Sequence, residues 1–374
     1  MITRFYKLSE KIQAGKVMIL YGPRRVGKTS LLKEYIETLH QKPTIYTGED
    51  LRIQDIMQSR SLQTLLSFVE QKNHLIIDEA QGIQNIWLGL KMLIDARPDI
   101  TCIVTGSSSF DLSQSLGEPL VGRSRILTLL PIWQWELLGE KNSFELREWI
   151  EESLIYGAYP EVFSYTRKED KQEYLENLVN SLLLKDILEL ERVKSAQVVM
   201  NLLRLLAFQI GSLVSYTELA MKVWLNQKTV ERYLDLLEKS FIIKRVSGYS
   251  RNLRKEITQK AKYYFYDVGI RNAIISQFAP LDMRQDKWAL WENWIWMERY
   301  KKRQYTGISG QTYFWRTHDG QEVDIVEERD GILSGYECKW NETKKNAPPK
   351  EWSLAGEKTE YTIVNRENYM DFIL

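Results

Sequence analysis

The stretch that decides the N-terminal fold is Val17-Met18-Ile19-Leu20-Tyr21 followed by Gly22-Pro23-Arg24-Arg25-Val26-Gly27-Lys28-Thr29. A continuous apolar run ends in a glycine-rich turn. Beyond it Leu31, Leu32, Tyr35, Ile36 and Leu39 recur at three- and four-residue spacing, so the segment reads as strand, loop, helix. The loop matches G-x-x-x-x-G-K-[ST] in the strand-to-helix context that gives this pattern its meaning. Gly22 and Gly27 permit a tight anion cradle, lined between them by Pro23, Arg24, Arg25 and Val26. Lys28 would reach β- and γ-phosphate oxygens, and Thr29 would offer its hydroxyl to Mg²⁺. ATP with Mg²⁺ is the expected cofactor pair.

Further short apolar runs follow at residues 44–46, 75–77, 101–104 and 126–130, separated by stretches long enough for crossover helices. That cadence predicts a parallel α/β sheet covered by helices. The run at 75–77 leads into Asp78 and Glu79, where Asp78 suits Mg²⁺ and Glu79 suits activation of an attacking water. Alone, an acidic strand end is as readily a solvated turn; beside Lys28 and Thr29 it becomes the hydrolytic half of a nucleotide site. The run at 101–104 leads into Thr105-Gly106-Ser107-Ser108-Ser109. These hydroxyls, Ser107 among them, either sense phosphate and hold water or form a plain turn. Arg123 either stabilises charge, within the chain or across an interface between copies, or is an ordinary surface arginine.

At 374 residues the chain exceeds one small core, and a prior of roughly 100–200 residues per domain gives two or three domains. The 44% hydrophobic and 27% charged content is a globular balance, and 51 Lys+Arg against 50 Asp+Glu exclude an extended acidic or basic tail protein. Two cysteines, Cys102 and Cys338, exclude a disulfide framework and a cysteine-rich zinc site, and 3 histidines leave little material for a histidine metal cluster. Charges interrupt the N-terminal segment too often for a signal-peptide core, and no apolar run approaches the ~18 residues of a membrane span. The expectation is a soluble cytoplasmic protein with no membrane insertion.

After residue 130 the strand cadence stops, and Pro131, Trp133 and Trp135 lead into long helical patterns. From Ser215, the segment SYTELAMKVWLNQKTVERYLDLLEKSFIIKRV reads as helix, turn, longer helix and strand. Ser215 and Glu218 have capping-box spacing, Asn226 is placed to cap the second helix, and Val230, Tyr233, Leu234 and Leu237 form its buried face. Strands at 241–246 and 263–266 around a polar hairpin complete what resembles a winged helix-turn-helix. Residues 244–262 hold seven Lys or Arg against one Glu. Arg251, Arg254, Lys255, Lys260 and Lys262 among them would set a positive wing against nucleic-acid phosphates, or else form a solvated or docking surface. Further on, Trp288, Trp291, Trp294 and Trp296 lie near helical spacing, which favours a buried helix face over a base-stacking platform. Strands are expected around 312–315, 322–327 and 335–339.

GPRRVGKT, LIIDEAQ and TGSSS in the N-terminal part, with YFYDVGIRN, EVDI and YECK in the C-terminal part, make the chain resemble the prokaryotic AAA-type ATPases that carry a C-terminal DUF4143 domain, over nearly its whole length. The resemblance implies ATP binding, an AAA-like N-terminal fold, a winged-helix element and a C-terminal domain like the restriction-endonuclease-like nucleases. The expected class is α/β multidomain: a P-loop AAA-like core over 1–130, a helical lid or adaptor over 131–195, a winged helix-turn-helix over 196–275 and a nuclease-like DUF4143 region over 276–374.

Asp324 is followed 13 residues later by Glu337, and Cys338 and Lys339 complete E-x-K. On a strand Glu337 and Lys339 share a face. Asp324 and Glu337 would bind Mg²⁺ or Mn²⁺, while Lys339 would position water or stabilise phosphoryl charge. Glu292 resembles the additional acid of that nuclease fold. The alternative is structural ion pairing among Glu322, Asp324, Glu337 and Lys339. The expected function is an ATP-powered switch acting on DNA or a DNA-associated partner, with a metal-dependent nuclease site. The alternative is an ATPase that remodels a protein partner through a noncatalytic C-terminal module. A homo-oligomer is compatible with both.

Overall fold

The computed structural model describes residues 2–106, 120–182, 196–250, 260–341 and 347–374. They divide into two compact units, one formed by Arg4–Pro131 with Lys239–Phe241, the other by Ile132–Glu238 and Ile242–Leu374 with the first three residues.

In the first unit, α1 (Leu8–Lys11) precedes β1 (Val17–Tyr21) and α2 (Lys28–Glu37). Then come β2 (Ile45–Thr47), α3 (Leu51–Gln58), α4 (Leu62–Val69) and β3 (His74–Asp78). The unit closes with α5 (Ile86–Ala96), β4 (Thr101–Gly106) and β5 (Ser124–Thr128). All five strands pair in parallel in the order β2-β3-β4-β1-β5. The continuous apolar runs follow from burial on both faces, as helices cover a parallel sheet. Ile19, Ile77 and Val104 lie in one core with Leu65, Leu90 and Leu93 from the helices. Asp50 and Ser61 start α3 and α4 by accepting from the Arg52 and Thr64 amides. Because β4 lies between β1 and β3, the ends of β1 and β3 are two strands apart, with the end of β4 between them.

The second unit begins with α6 (Ser143–Tyr156), α7 (Lys168–Leu182) and α8 (Ala196–Phe208). Then follow β6 (Leu213–Val214), α9 (Tyr216–Val223), α10 (Gln227–Lys239), β7 (Ile243–Val246) and β8 (Ala261–Phe265). The three strands form an antiparallel sheet in the order β6-β8-β7. Asn226 caps α10 by accepting from the Thr229 amide at 2.8 Å. Ser215 likewise accepts from Glu218, but the Glu218 carboxylate goes to Lys222 at 2.6 Å, so half of the expected reciprocal box is present.

After α11 (Val268–Ile274) and the long α12 (Lys287–Thr306), a mixed sheet forms from β9 (Thr312–Arg316), β10 (Glu322–Arg329), β11 (Ile332–Cys338) and β12 (Lys358–Val364), and α13 (Tyr369–Ile373) ends the chain. Its order is β12-β11-β10-β9, with only the β11–β12 pair parallel. Trp291, Trp294 and Trp296 of α12 are buried and Trp288 is half exposed, so the aromatic run is mainly core. At Gly335 a Cβ would meet the Trp352 ring at 2.5 Å, so this strand position admits only glycine. Residues 247–249 run along the β9 edge, where the Tyr249 amide donates to the Phe314 carbonyl at 2.6 Å. Among the described residues no helix is long and apolar enough to cross a membrane.

Candidate functional site

The nucleotide-site residues converge at the C-terminal ends of β1, β3 and β4, where parallel α/β sheets place ligands. Gly22 has φ 146°, and a Cβ there would lie 1.8 Å from the Leu129 carbonyl oxygen. Only glycine lets the loop pass so close to the chain leaving β5. Gly27, at φ 95°, turns the loop into the first turn of α2. The buried Lys28 folds its ammonium back across the loop, donating to the Gly22 and Pro23 carbonyls at 2.8 Å each.

Thr29 Oγ1 donates to Asp78 Oδ2 at 2.8 Å, joining the loop to the acidic strand end. The Thr105 hydroxyl, from the end of β4, donates to the other Asp78 oxygen and accepts from the Glu79 amide at 3.1 Å. Glu79 itself takes a left-handed backbone, φ 53°, and its carboxylate accepts from the Gln81 side chain. A hydroxyl and a carboxylate from two chain segments therefore face each other below the phosphate loop. Both are hard oxygen donors of the kind Mg²⁺ takes, so the residues present fit ATP with Mg²⁺.

Arg4 was not foreseen. Its guanidinium donates to the Val26 carbonyl at 2.5 Å and the Leu130 carbonyl at 2.6 Å, tying the back of the loop to the chain after β5. No local pattern marks it, because both partners are distant in sequence. Arg123 is corrected as an in-chain contributor: it precedes β5 at the end aligned with Val17, whereas the phosphate loop leaves β1 at Tyr21, about 13 Å of strand away. Its side chain instead pairs with Asp95 at 2.7 Å. Ser107 lies outside the described residues.

A second constellation lies in the other unit, where Glu292, Asp324, Glu337 and Lys339 line a cleft of about 720 Å³ and Glu322 is joined to it through Lys262. Glu292 comes from α12, Glu322 and Asp324 from β10, Glu337 from β11 and Lys339 just after it. Lys339 donates to Glu337 at 2.6 Å, as residues two apart on a strand should. The Cys338 amide donates to Asp324 at 2.8 Å.

The structure does not assemble Glu292, Asp324 and Glu337 as a metal set: among the described residues no three His, Cys, Asp or Glu side chains are grouped to hold a metal ion. A buried lysine, Lys262 on β8, stands against Glu292, Glu322 and Asp324. At 1% exposure, its ammonium donates to Glu292 at 2.9 Å, contacts Glu322 and lies 4.0 Å from Asp324. Tyr264, two residues on, also donates to Glu292, at 2.6 Å. Burial works against the Lys262 charge, but Glu292, Asp324 and Glu322 outweigh it and hold its pKa above the ordinary lysine value. Burial, with the Glu292 charge beside it, pushes the Asp324 carboxyl well up, and burial also raises Glu337.

Lys262 therefore faces inward, which corrects its expected place on a phosphate-binding wing. The signal was present in sequence: AKYYF is an apolar, aromatic strand, and Lys262 shares a face with Tyr264. Lys260 is exposed. Arg251, Arg254 and Lys255 lie outside the described residues. The longer helix of the helix-turn-helix, α10, balances Lys228, Arg232 and Lys239 against Glu231, Asp235 and Glu238. The turn before it leaves Trp224 93% exposed.

Comparison with known proteins follows the same division. The AAA domain model matches residues 14–138, a domain of unknown function, DUF8612, matches 147–281, and the DUF4143 model, also a domain of unknown function, matches 288–370. The chain is 25% identical over 341 residues to an uncharacterized protein of Mycobacterium tuberculosis, covering 90% of this chain and 73% of that one. It is 26% identical over 299 residues to an uncharacterized protein of Haemophilus influenzae, covering 74% of each. A solved structure from Pyrococcus horikoshii, a Signal Transduction ATPase with Numerous Domains protein with a tetratricopeptide repeat sensor, overlaps at a TM-score of 0.33 and 14% identity, covering 81% of this chain and 46% of that one.

Proposed function

We propose that this chain, which belongs to the AAA-type ATPases with a C-terminal DUF4143 domain, binds ATP with Mg²⁺, hydrolyses it, and uses the cycle to switch its grip on a partner. The observation that carries this is the 2.8 Å hydrogen bond from Thr29 to Asp78. It sets the loop that cradles phosphates against the strand end that supplies a carboxylate. Mg²⁺, when bound with ATP, neutralises charge developing on the phosphate oxygens. With ATP bound, Lys28 would exchange its bonds to the loop carbonyls for phosphate oxygens, Thr29 and Asp78 would hold the metal, and Glu79 would orient and deprotonate the attacking water. Thr105 fixes Asp78 and the Glu79 backbone in register. ATP affinity of the purified chain, compared with Lys28→Ala, tests the binding half: equal affinity for both proteins would reject the site.

For the second unit we read α9, α10 and the β6-β8-β7 sheet as a winged helix, and the sheet of β9–β12 with α12 as a nuclease-like scaffold. Its partner is DNA or a DNA-associated protein in the reading that the exposed Lys260 and the basic composition of 244–262 support. A second reading, in which this region recognises a protein without cutting nucleic acid, is favoured by Lys262 among the cleft carboxylates and by the exposed Trp224 beside a charge-balanced α10. Salt-titrated DNA binding separates them, because phosphate contacts make affinity fall steeply with salt. A trans role for Arg123 between copies is tested by sedimentation with and without ATP.

A further inference from the structure

Three carboxylates, Glu292, Asp324 and Glu337, line the cleft and a fourth, Glu322, is joined to them through Lys262; their partners are cationic or neutral groups of this chain. Glu292 Oε1 accepts from Lys262 and Tyr264. Glu322 is shared between Lys262 and Arg316, the latter at 2.6 Å. Asp324 Oδ2 accepts from a backbone amide, and Glu337 Oε1 from Lys339. Three side-chain cations thus stand against four acids before any ion is added. Lys262 is also fixed from behind: its strand is paired on both edges, by Leu213 of β6 and Val246 of β7, and the Phe314 ring lies 5.6 Å from its ammonium.

We propose that Lys262, buried against the cleft carboxylates, is the cation that engages Glu292, Glu322 and Asp324 in place of a divalent metal, so that the cleft is closed to Mg²⁺ and Mn²⁺ while Lys262 is in place. A hard divalent ion takes six or more oxygens at ~2.0–2.6 Å. The buried ammonium both uses those oxygens and repels a second cation. Glu337 Oε2, buried without a hydrogen-bond partner, adds to the ligand capacity that would be left if Lys262 were removed. This conclusion is independent of the nucleotide site.

Binding of Mn²⁺ alone to the nucleotide-free full chain, followed by the electron paramagnetic resonance of free Mn²⁺, tests it without requiring any cleavage. Wild type and Asp324→Asn should bind Mn²⁺ identically. Lys262→Met, which keeps the length and loses the charge, should gain one Mn²⁺ that wild type does not bind, and Asp324→Asn added to it should remove that ion. Asp324-dependent Mn²⁺ binding by wild type would overturn the proposal, as would a folded Lys262→Met that gains no ion. Should Lys262→Met fail to fold, Lys262→Gln replaces it, and the wild-type comparison with Asp324→Asn needs no change at Lys262. Lys262→Arg, which retains the cation, should stay closed.

Discussion

Replacing Glu327 by glutamine should destabilise the second unit by about 3 kcal/mol. Glu327 is 1% exposed on β10, the strand that also carries Glu322 and Asp324, and Arg299 of α12 grips it through two bonds of 2.8 Å. Arg303 approaches at 2.9 Å and Arg329 at 2.6 Å. Burial pushes the Glu327 carboxyl up, but the Arg299 and Arg303 guanidiniums more than reverse this and bring it from 4.5 to about 2. At ~1.4 kcal/mol per pKa unit, this favours the folded ionised state by about 3 kcal/mol, in line with the ~3–5 kcal/mol cost of breaking a buried ion pair. Glutamine keeps the shape and leaves buried guanidiniums without their counter-charge. Because the folded pKa is depressed, the contribution is complete above about pH 4.5 and fades as pH falls toward 2. Melting of wild type and Glu327→Gln should differ by about 6–12 °C at pH 7, and by progressively less below pH 4.5. Equal melting temperatures at pH 7, or a gap that widens in acid, would show that the Glu327 charge does not stabilise this unit.

Other outcomes follow from the same geometry. Gly22→Ala should weaken ATP binding more than tenfold, since its Cβ would sit 1.8 Å from the Leu129 oxygen, whereas Gly139→Ala, with nothing within 4 Å, should be silent in the same titration. Replacing Arg251, Arg254 and Lys255 together by alanine should weaken DNA binding and flatten the slope of log affinity against log salt by about two to three, at ~0.7–0.9 per phosphate contact. An unchanged slope would assign that basic segment to docking or to solvent.

The parallel sheet was legible because β1, β3 and β4 are uninterrupted apolar runs, and the phosphate loop because Gly22, Gly27, Lys28 and Thr29 are contiguous. The acidic strand end was legible because Asp78 closes such a run. What escaped depends on contacts between distant segments. Arg4 acts through two carbonyls that no spacing rule connects to it. Arg123 carries the right charge at the wrong end of its strand, which only the β1–β5 register shows. Lys262 was counted with its basic neighbours, although the apolar strand around it already argued for burial. The E-x-K spacing put Glu337 and Lys339 on one face, yet could not reveal that a lysine from another sheet would face Glu292, Glu322 and Asp324. Structural ion pairing, the alternative kept open for those residues, describes the contacts of Lys339 and Glu322.

In the proposed cycle Glu79 activates water for hydrolysis of ATP held by Lys28, Thr29 and Asp78. Single-turnover hydrolysis at saturating ATP and Mg²⁺, in wild type and Glu79→Gln, tests it most directly, with ATP affinity measured on the same samples. Affinity should be equal and the turnover rate lowered by roughly 10²–10⁴-fold in the variant, the range expected for loss of a general base. Hydrolysis by Glu79→Gln at the wild-type rate would contradict it.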